Sequence, residues 1–158
     1  VYVILADIGI AASPSASIGN AGLFEKAGSN GSSVVAASFT NTGTIDVATG
    51  LLSLTGGSNS LGGTVTGAGT LLLGPGGNFV LAPGLAVTVG TLELGAAAGV
   101  ASSTTLGTNL SYAGSFVLAR LNGGAATLEL NGQSLALSGT ALLDGAVEPL
   151  LFRTSPPS

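Results

Sequence analysis

Three short motifs in the sequence place a carboxylate between two aliphatic residues. They have the form Thr-aliphatic-acidic-aliphatic, and their carboxylates belong to Asp46, Glu93 and Glu129. Glycoside hydrolysis uses two carboxyl groups that face each other across a sugar, so these residues are the candidates for catalysis. The same slot also suits a charged side chain that solvates the outer face of a strand, and no basic residue accompanies the three. We therefore predict no catalytic residues and no enzyme activity.

Other catalytic and binding chemistries lack their residues. The chain has no Cys, Met, Trp or His, which excludes thiolate and imidazole catalysis and the usual zinc ligands. Because the calcium-binding solenoid signature Gly-Gly-any-Gly-any-Asp is also missing, we predict neither a metal nor a cofactor. Three basic residues are too few to neutralise a phosphate backbone, and no run of about 18 apolar residues is present. The predicted partners therefore include neither nucleic acid nor a membrane-spanning contact.

Two threonine pairs form a candidate binding face. In Thr42-Gly43-Thr44 and in Thr64-Val65-Thr66, the threonines are two residues apart, so the two hydroxyls of each pair lie on one side of a strand. A flat ladder of threonines on a β-solenoid can order water at an ice surface or bind a carbohydrate. We assign Thr42, Thr44, Thr64 and Thr66 to a hydroxyl-rich face that binds glycan or ice, as an alternative to a purely structural function.

The composition favours many short strands around a thin core. Charged residues are 6% of the chain, where roughly 25% is usual. Hydrophobic residues are 46%, and 27 of the 158 residues are glycine. Apolar and polar residues alternate within segments that end at Gly-Gly, Asn-Gly or Pro-Gly, which is typical of half-buried strands between turns. The residues predicted to point inward are Ile45, Val47, Leu92, Leu94, Leu128 and Leu130.

Internal repeats decide between the folds that such strands allow. The Thr-aliphatic motif begins at Thr44, Thr70 (with Leu in the acidic position), Thr91 and Thr127. Residues 77–82 recur as 114–119, which we interpret as a copied unit with Phe79 and Phe116 stacked in the core. Residues 20–25 recur as 41–46, an offset of 21. We predict an all-β, right-handed parallel β-helix (β-solenoid), because repeated inward residues form ladders in stacked coils. The alternative is a β-sandwich of the pilin-like or jelly-roll type.

The segment from Phe39 to Leu54 resembles a known family of repeats. It reads Phe-Thr-Asn-Thr-Gly-Thr-Ile-Asp-Val-Ala-Thr-Gly-Leu-Leu-Ser-Leu and is similar to passenger repeats of bacterial filamentous-haemagglutinin-like and autotransporter adhesins. Residues 20–26 and 67–73 are similar too, and the resemblance covers most of residues 17–145. It implies a secreted right-handed parallel β-helix on a bacterial surface that binds host or neighbouring cells or builds matrix.

The two ends of the chain differ from its middle. We predict an extended edge or linker over residues 1–16, a solenoid over 17–146 and a proline-containing tail over 147–158. The β-prone opening (Val1, Tyr2, Val3, Ile4 and Leu5) is the candidate assembly edge. Because so few charges keep copies apart, we expect head-to-tail or lateral self-association. The predicted protein is an extracellular, non-catalytic stalk or filament subunit, with a surface glycan or host receptor as a further partner. We interpret the chain as a mature product or an excised fragment.

Overall fold

The computed structural model describes residues 1–11, 16–95, 99–119 and 124–143, and all of its sheets are parallel. The first sheet, sheet A, consists of β1 (Tyr2–Ile4), β3 (Leu23–Lys26), β6 (Thr44–Val47), β9 (Thr64–Thr66) and β12 (Ala86–Val87). Sheet B consists of β4 (Ser32–Val35), β7 (Leu51–Leu54), β10 (Thr70–Leu73), β13 (Thr91–Leu94), β16 (Ser115–Leu118) and β19 (Ala141–Leu143).

The third sheet and a strand pair complete the fold. Sheet C consists of β2 (Ser17–Asn20), β5 (Ser38–Asn41), β8 (Ser58–Leu61), β11 (Asn78–Leu81), β14 (Ser102–Leu106) and β17 (Ala126–Glu129). The pair consists of β15 (Leu110–Tyr112) and β18 (Leu135–Leu137), which hold the same place in the chain order as the strands of sheet A. The described residues contain no helix, and hence no helical segment able to cross a membrane.

The chain visits the three sheets in a constant order, and each circuit is one turn of a solenoid. It passes from sheet C to sheet A and then to sheet B, so β2, β3 and β4 form the first of six full turns. The advance per turn ranges from 19 residues, between Ser32 and Leu51, to 25, between Asn78 and Ser103. The predicted parallel β-solenoid is confirmed. The β-sandwich alternative is wrong, because its sheets would contain antiparallel pairs.

Alternation along each strand builds the core. Ile45 and Val47 of β6 are fully buried, and Leu92 and Leu94 of β13 are nearly so. Leu128 is buried, whereas Leu130, which follows the last strand of sheet C, is half-buried against the core. The predicted inward positions are therefore confirmed. They stack on equivalent residues above and below, as Leu71 does on Leu52 and Leu92.

The interpretation of the longer repeat is wrong. Phe79 lies in β11 of sheet C, where it neighbours Asn59 and Thr104, and Phe116 lies in β16 of sheet B beside Leu92. The two rings do not stack, because an offset of 37 residues is not a whole number of turns. The shorter repeat does mark one turn, since Asn20 lies beside Asn41 and the strands that follow them also pair.

The first residues add a partial turn below the six. Strand β1 pairs with β3 in sheet A, and Ile10 forms a bridge with Val35 of sheet B. Both contacts extend the parallel stacking of the solenoid by one layer on two of its three sides. Residues 12–15 of the predicted N-terminal segment, and the whole of the predicted tail over 147–158, lie outside the described residues.

Candidate functional site

The outer face of sheet A carries three of the four threonines predicted to form a binding face. Thr44 of β6 lies directly beside Thr64 of β9, and Thr66 lies beside Asp46. Thr42 precedes β6, is exposed, and its hydroxyl donates to the backbone oxygen of Asn20 at 3.4 Å. The predicted hydroxyl-rich face is therefore a small cluster of three threonines on two strands, with a fourth at the edge of sheet C.

The three candidate carboxylates lie on three different sheets. Asp46 is on sheet A, Glu93 on sheet B and Glu129 on sheet C. The structure thus does not bring these residues together across a common cleft. A different pair is adjacent, because Glu25 of β3 lies beside Asp46 in the parallel register. The 21-residue offset between the repeats of residues 20–25 and 41–46 is the signal that identifies this pair from the sequence.

The outer face of sheet B is largely apolar. One row of outward positions runs across the sheet through Val34, Ser53, Leu72, Glu93, Val117 and Leu142. Val34 and Leu142 are among the exposed large hydrophobic residues. Glu93 is the one charged side chain in this row. Its neighbours on both sides are apolar, so sheet B presents neither a second carboxylate nor a base to it.

The outer face of sheet C, called the hydroxyl face below, carries mostly serine and threonine. Each of its six strands presents two side chains to solvent, and parallel pairing aligns them in two columns. The first column consists of Ser17, Ser38, Ser58, Asn78, Ser103 and Thr127. The second column consists of Gly19, Thr40, Ser60, Val80, Thr105 and Glu129. None of these twelve residues is buried, and eight of them are Ser or Thr.

Few hydroxyls on this face are engaged by the protein itself. The Ser58 backbone N–H donates to the Ser38 Oγ at 3.3 Å, and the Thr105 hydroxyl donates to the Glu129 carboxylate at 3.4 Å. Within the described ranges, the hydroxyls of Thr40 and Ser60 have no protein partner. The sequence analysis did not identify the hydroxyl face. Its signal is the dipeptide spacing Ser-any-(Ser or Thr), which recurs 20 residues apart at residues 38–40 and 58–60.

Strand β1, which contains most of the predicted assembly edge, is the first strand of sheet A. One of its edges pairs with β3, and the other is open among the described residues. Tyr2 lies beside Phe24 on the inner side, with ring centroids 6.3 Å apart, yet its side chain is 60% exposed. Ile4 is buried, whereas Val1, Val3 and Leu5 are exposed.

A buried ion pair holds the segment after β1. The side chain of Lys26 is completely buried, and its Nζ donates to the Asp7 carboxylate at 3.3 Å and to the Ser29 backbone oxygen at 2.9 Å. The Ser29 hydroxyl also donates to the Asp7 carboxylate, at 2.5 Å. These bonds, first that from Ser29 and then those from Lys26, hold the pKa of Asp7 below its ordinary value. The charge of Lys26 is thereby compensated inside the solenoid.

The described residues show no metal-binding arrangement. They contain no group of three or more His, Cys, Asp or Glu side chains in position to hold an ion. The adjacent pair Glu25 and Asp46 consists of only two carboxylates on an open sheet surface. Surface hydrogen bonding and strand pairing are therefore the chemistry that the described side chains and edges offer. No protein-family model, curated protein or solved structure matches this chain.

Proposed function

We propose that this protein is a non-catalytic, secreted structural or adhesive protein of a bacterial cell surface, built as a β-solenoid stalk that associates end to end. The observation that carries the proposal is the pair of open ends on one solenoid. At the first layer, β1 has an open edge in sheet A. At the last layer, β17, β18 and β19 are terminal strands with open edges among the described residues.

The open ends have the complementarity that strand addition requires. Both present parallel strands on the same three sides, and unpaired N–H and C=O groups are a template for another chain. The interior is open at the last layer as well, since Leu143 stacks on the buried Leu118 but is itself 49% exposed. An end-to-end contact between copies would continue the backbone ladders and bury this apolar interior. The resemblance to adhesin passenger repeats supports an extracellular setting for such a rod.

The low charge of the chain supports self-association in a second way. Three basic and seven acidic residues among 158 produce little electrostatic repulsion between copies. Contacts made by backbone hydrogen bonds and aliphatic side chains depend weakly on ionic strength. The assemblies are therefore expected to persist at raised salt, unlike complexes held by surface ion pairs.

A proline substitution tests the contact at β1. The Ile4 backbone oxygen accepts from the Ala27 N–H, so Ile4 faces β3 and the backbone groups of Val3 face the open edge. Val3→Pro removes one N–H from that edge and leaves the pairing with β3 in place. Negative-stain electron microscopy and light scattering at several protein concentrations should show rods longer than one molecule for the native chain, and single short rods for Val3→Pro.

The matched control is Val3→Thr, which shortens no ladder because it retains the N–H. This variant should assemble like the native chain. Native protein that remains a single short rod at every concentration would overturn the proposal. Equal assembly by Val3→Pro and native protein would show that the β1 edge is not the joint.

A further inference from the structure

We infer that the hydroxyl face of sheet C is a binding surface for a neutral polysaccharide chain. This inference does not rest on end-to-end association, because the face lies along the side of the solenoid and not at its ends. It also differs from the threonine cluster on sheet A that the sequence analysis selected. The argument proceeds from the charge, the spacing and the free valences of the twelve outward residues.

The charge of the face excludes most classes of ligand. The face contains no Lys or Arg, so a phosphate, a sulfated glycan or a nucleic acid meets no counter-charge there. Its single carboxylate, Glu129, is at the last strand and is insufficient for a cation. Val80 is its one large apolar side chain, so an apolar partner gains little buried area. A ligand that is itself neutral and rich in hydroxyls matches the face.

The spacing of the hydroxyls is set by the backbone. Neighbouring strands in a sheet are about 4.7–4.9 Å apart, so each column repeats one side chain at that interval. A pyranose ring is of similar length, so an extended glycan that crosses the strands meets a new pair of side chains at about each sugar. Serine occupies three successive positions of the first column, Ser17, Ser38 and Ser58. Because the strands are rigid, these groups lose little freedom on binding.

The composition of the face favours glycan over ice. Of its eight hydroxyl residues, five are serines, and the threonines are Thr40, Thr105 and Thr127. A serine offers a hydroxyl without the methyl group with which threonine ladders order water. Hydroxyl side chains both donate and accept hydrogen bonds, as sugar hydroxyls do. The free hydroxyls of Thr40 and Ser60 lie side by side near the middle of the face.

The test compares two triple variants with the same chemistry on different sheets. The first is Thr40→Val, Thr105→Val and Thr127→Val on the hydroxyl face. The matched control is Thr44→Val, Thr64→Val and Thr66→Val on sheet A. Threonine and valine have nearly the same shape and are both favoured in strands, so both triple variants should remain folded. The melting temperature of each is measured first to establish this.

The probes are insoluble cellulose, soluble neutral β-glucan and starch, with polygalacturonate as a charged comparison. The native protein should be depleted from solution by at least one neutral polymer, independently of salt. The hydroxyl-face variant should bind about tenfold more weakly or worse, since several hydrogen bonds are lost, and the sheet A variant should bind like the native protein. Val3→Pro should bind equally well, which separates this inference from end-to-end association.

Three outcomes would overturn the inference. The first is that the native protein binds none of the neutral polymers. The second is that the two triple variants bind equally, which would remove the face from the contact. The third is preference for polygalacturonate, or inhibition of ice growth by the native protein that is lost in the hydroxyl-face variant.

Discussion

The side-chain amide of Asn20 donates to the Asn41 Oδ1 across 2.7 Å inside the solenoid. The two residues are 21 positions apart in the sequence and directly beside each other in sheet C. The Asn41 amide in turn donates to the Gly62 backbone oxygen of the next turn at 2.6 Å. This chain of bonds links three successive layers through two buried side chains.

Replacing Asn41 should destabilise the protein. Asn41→Ala removes the acceptor of Asn20 and the donor to Gly62, and leaves buried polar groups unsatisfied at a cost of about 1–3 kcal/mol. Chemical denaturation measures the free energy of unfolding. Thr40→Ala, at the adjacent outward position, is the control and should change it by less than about 0.5 kcal/mol. Equal effects of the two substitutions would contradict a stabilising role for the asparagine ladder.

Two glycines separate backbone strain from steric overlap. Gly63 and Gly84 both have positive φ, 64° and 82°, where a side chain is disfavoured. A Cβ on Gly63 would overlap the Gly43 backbone oxygen, whereas a Cβ on Gly84 has open space. Gly84→Ala should therefore cost about 1–2 kcal/mol from conformation alone, and Gly63→Ala should cost clearly more. Differential scanning calorimetry compares the two, and a smaller effect at Gly63 would contradict the layer spacing at that corner.

The hydroxyl of Tyr112 should stabilise the fifth turn. It is buried and donates to the Val89 backbone oxygen at 2.8 Å, and burial raises its pKa. Tyr112→Phe removes this donor and should lower the free energy of unfolding by about 1 kcal/mol. Tyr2→Phe is the matched control, because Tyr2 is largely exposed. A neutral result at Tyr112 would indicate that its oxygen contributes nothing to stability.

The stability of the protein should depend on Asp7 at low pH. Because hydrogen bonds from Ser29 and Lys26 hold the pKa of Asp7 below its ordinary value, the ionised form stabilises the fold above the unfolded pKa of about 4. That contribution is lost as the pH falls through the lower, folded pKa. Melting temperatures should therefore be higher for native protein than for Asp7→Asn at pH 7. The two should converge in strong acid, and a constant difference across pH would contradict this linkage.

Local patterns accounted for the fold class and for which side of each strand is buried. Alternation has a period of two and needs no knowledge of distant residues, so Ile45, Val47, Leu92 and Leu94 were correctly predicted to point inward. The same reasoning found the one-turn offset between residues 20–25 and 41–46, because the intervening turns keep their length there. Parallel stacking followed from that repetition.

The assignment of each strand to a sheet depended on the tertiary structure. Alternation distinguishes inside from outside but does not say which of three sides a strand occupies. That depends on the number of strands already passed and on turns whose length changes the advance from 19 to 25 residues. For this reason, Asp46, Glu93 and Glu129 share a motif but lie on three sheets, and Phe79 does not stack on Phe116.

The sequence by itself determined that the chain forms a parallel solenoid with an aliphatic interior and an almost uncharged exterior. Only the tertiary structure decided how that exterior is divided into a threonine and carboxylate cluster on sheet A, an apolar row on sheet B and a hydroxyl face on sheet C. The physical reason is that burial acts on each residue locally, through its own side-chain direction. A surface is assembled from residues one turn apart, and the cumulative length of the corners between them sets which residues meet.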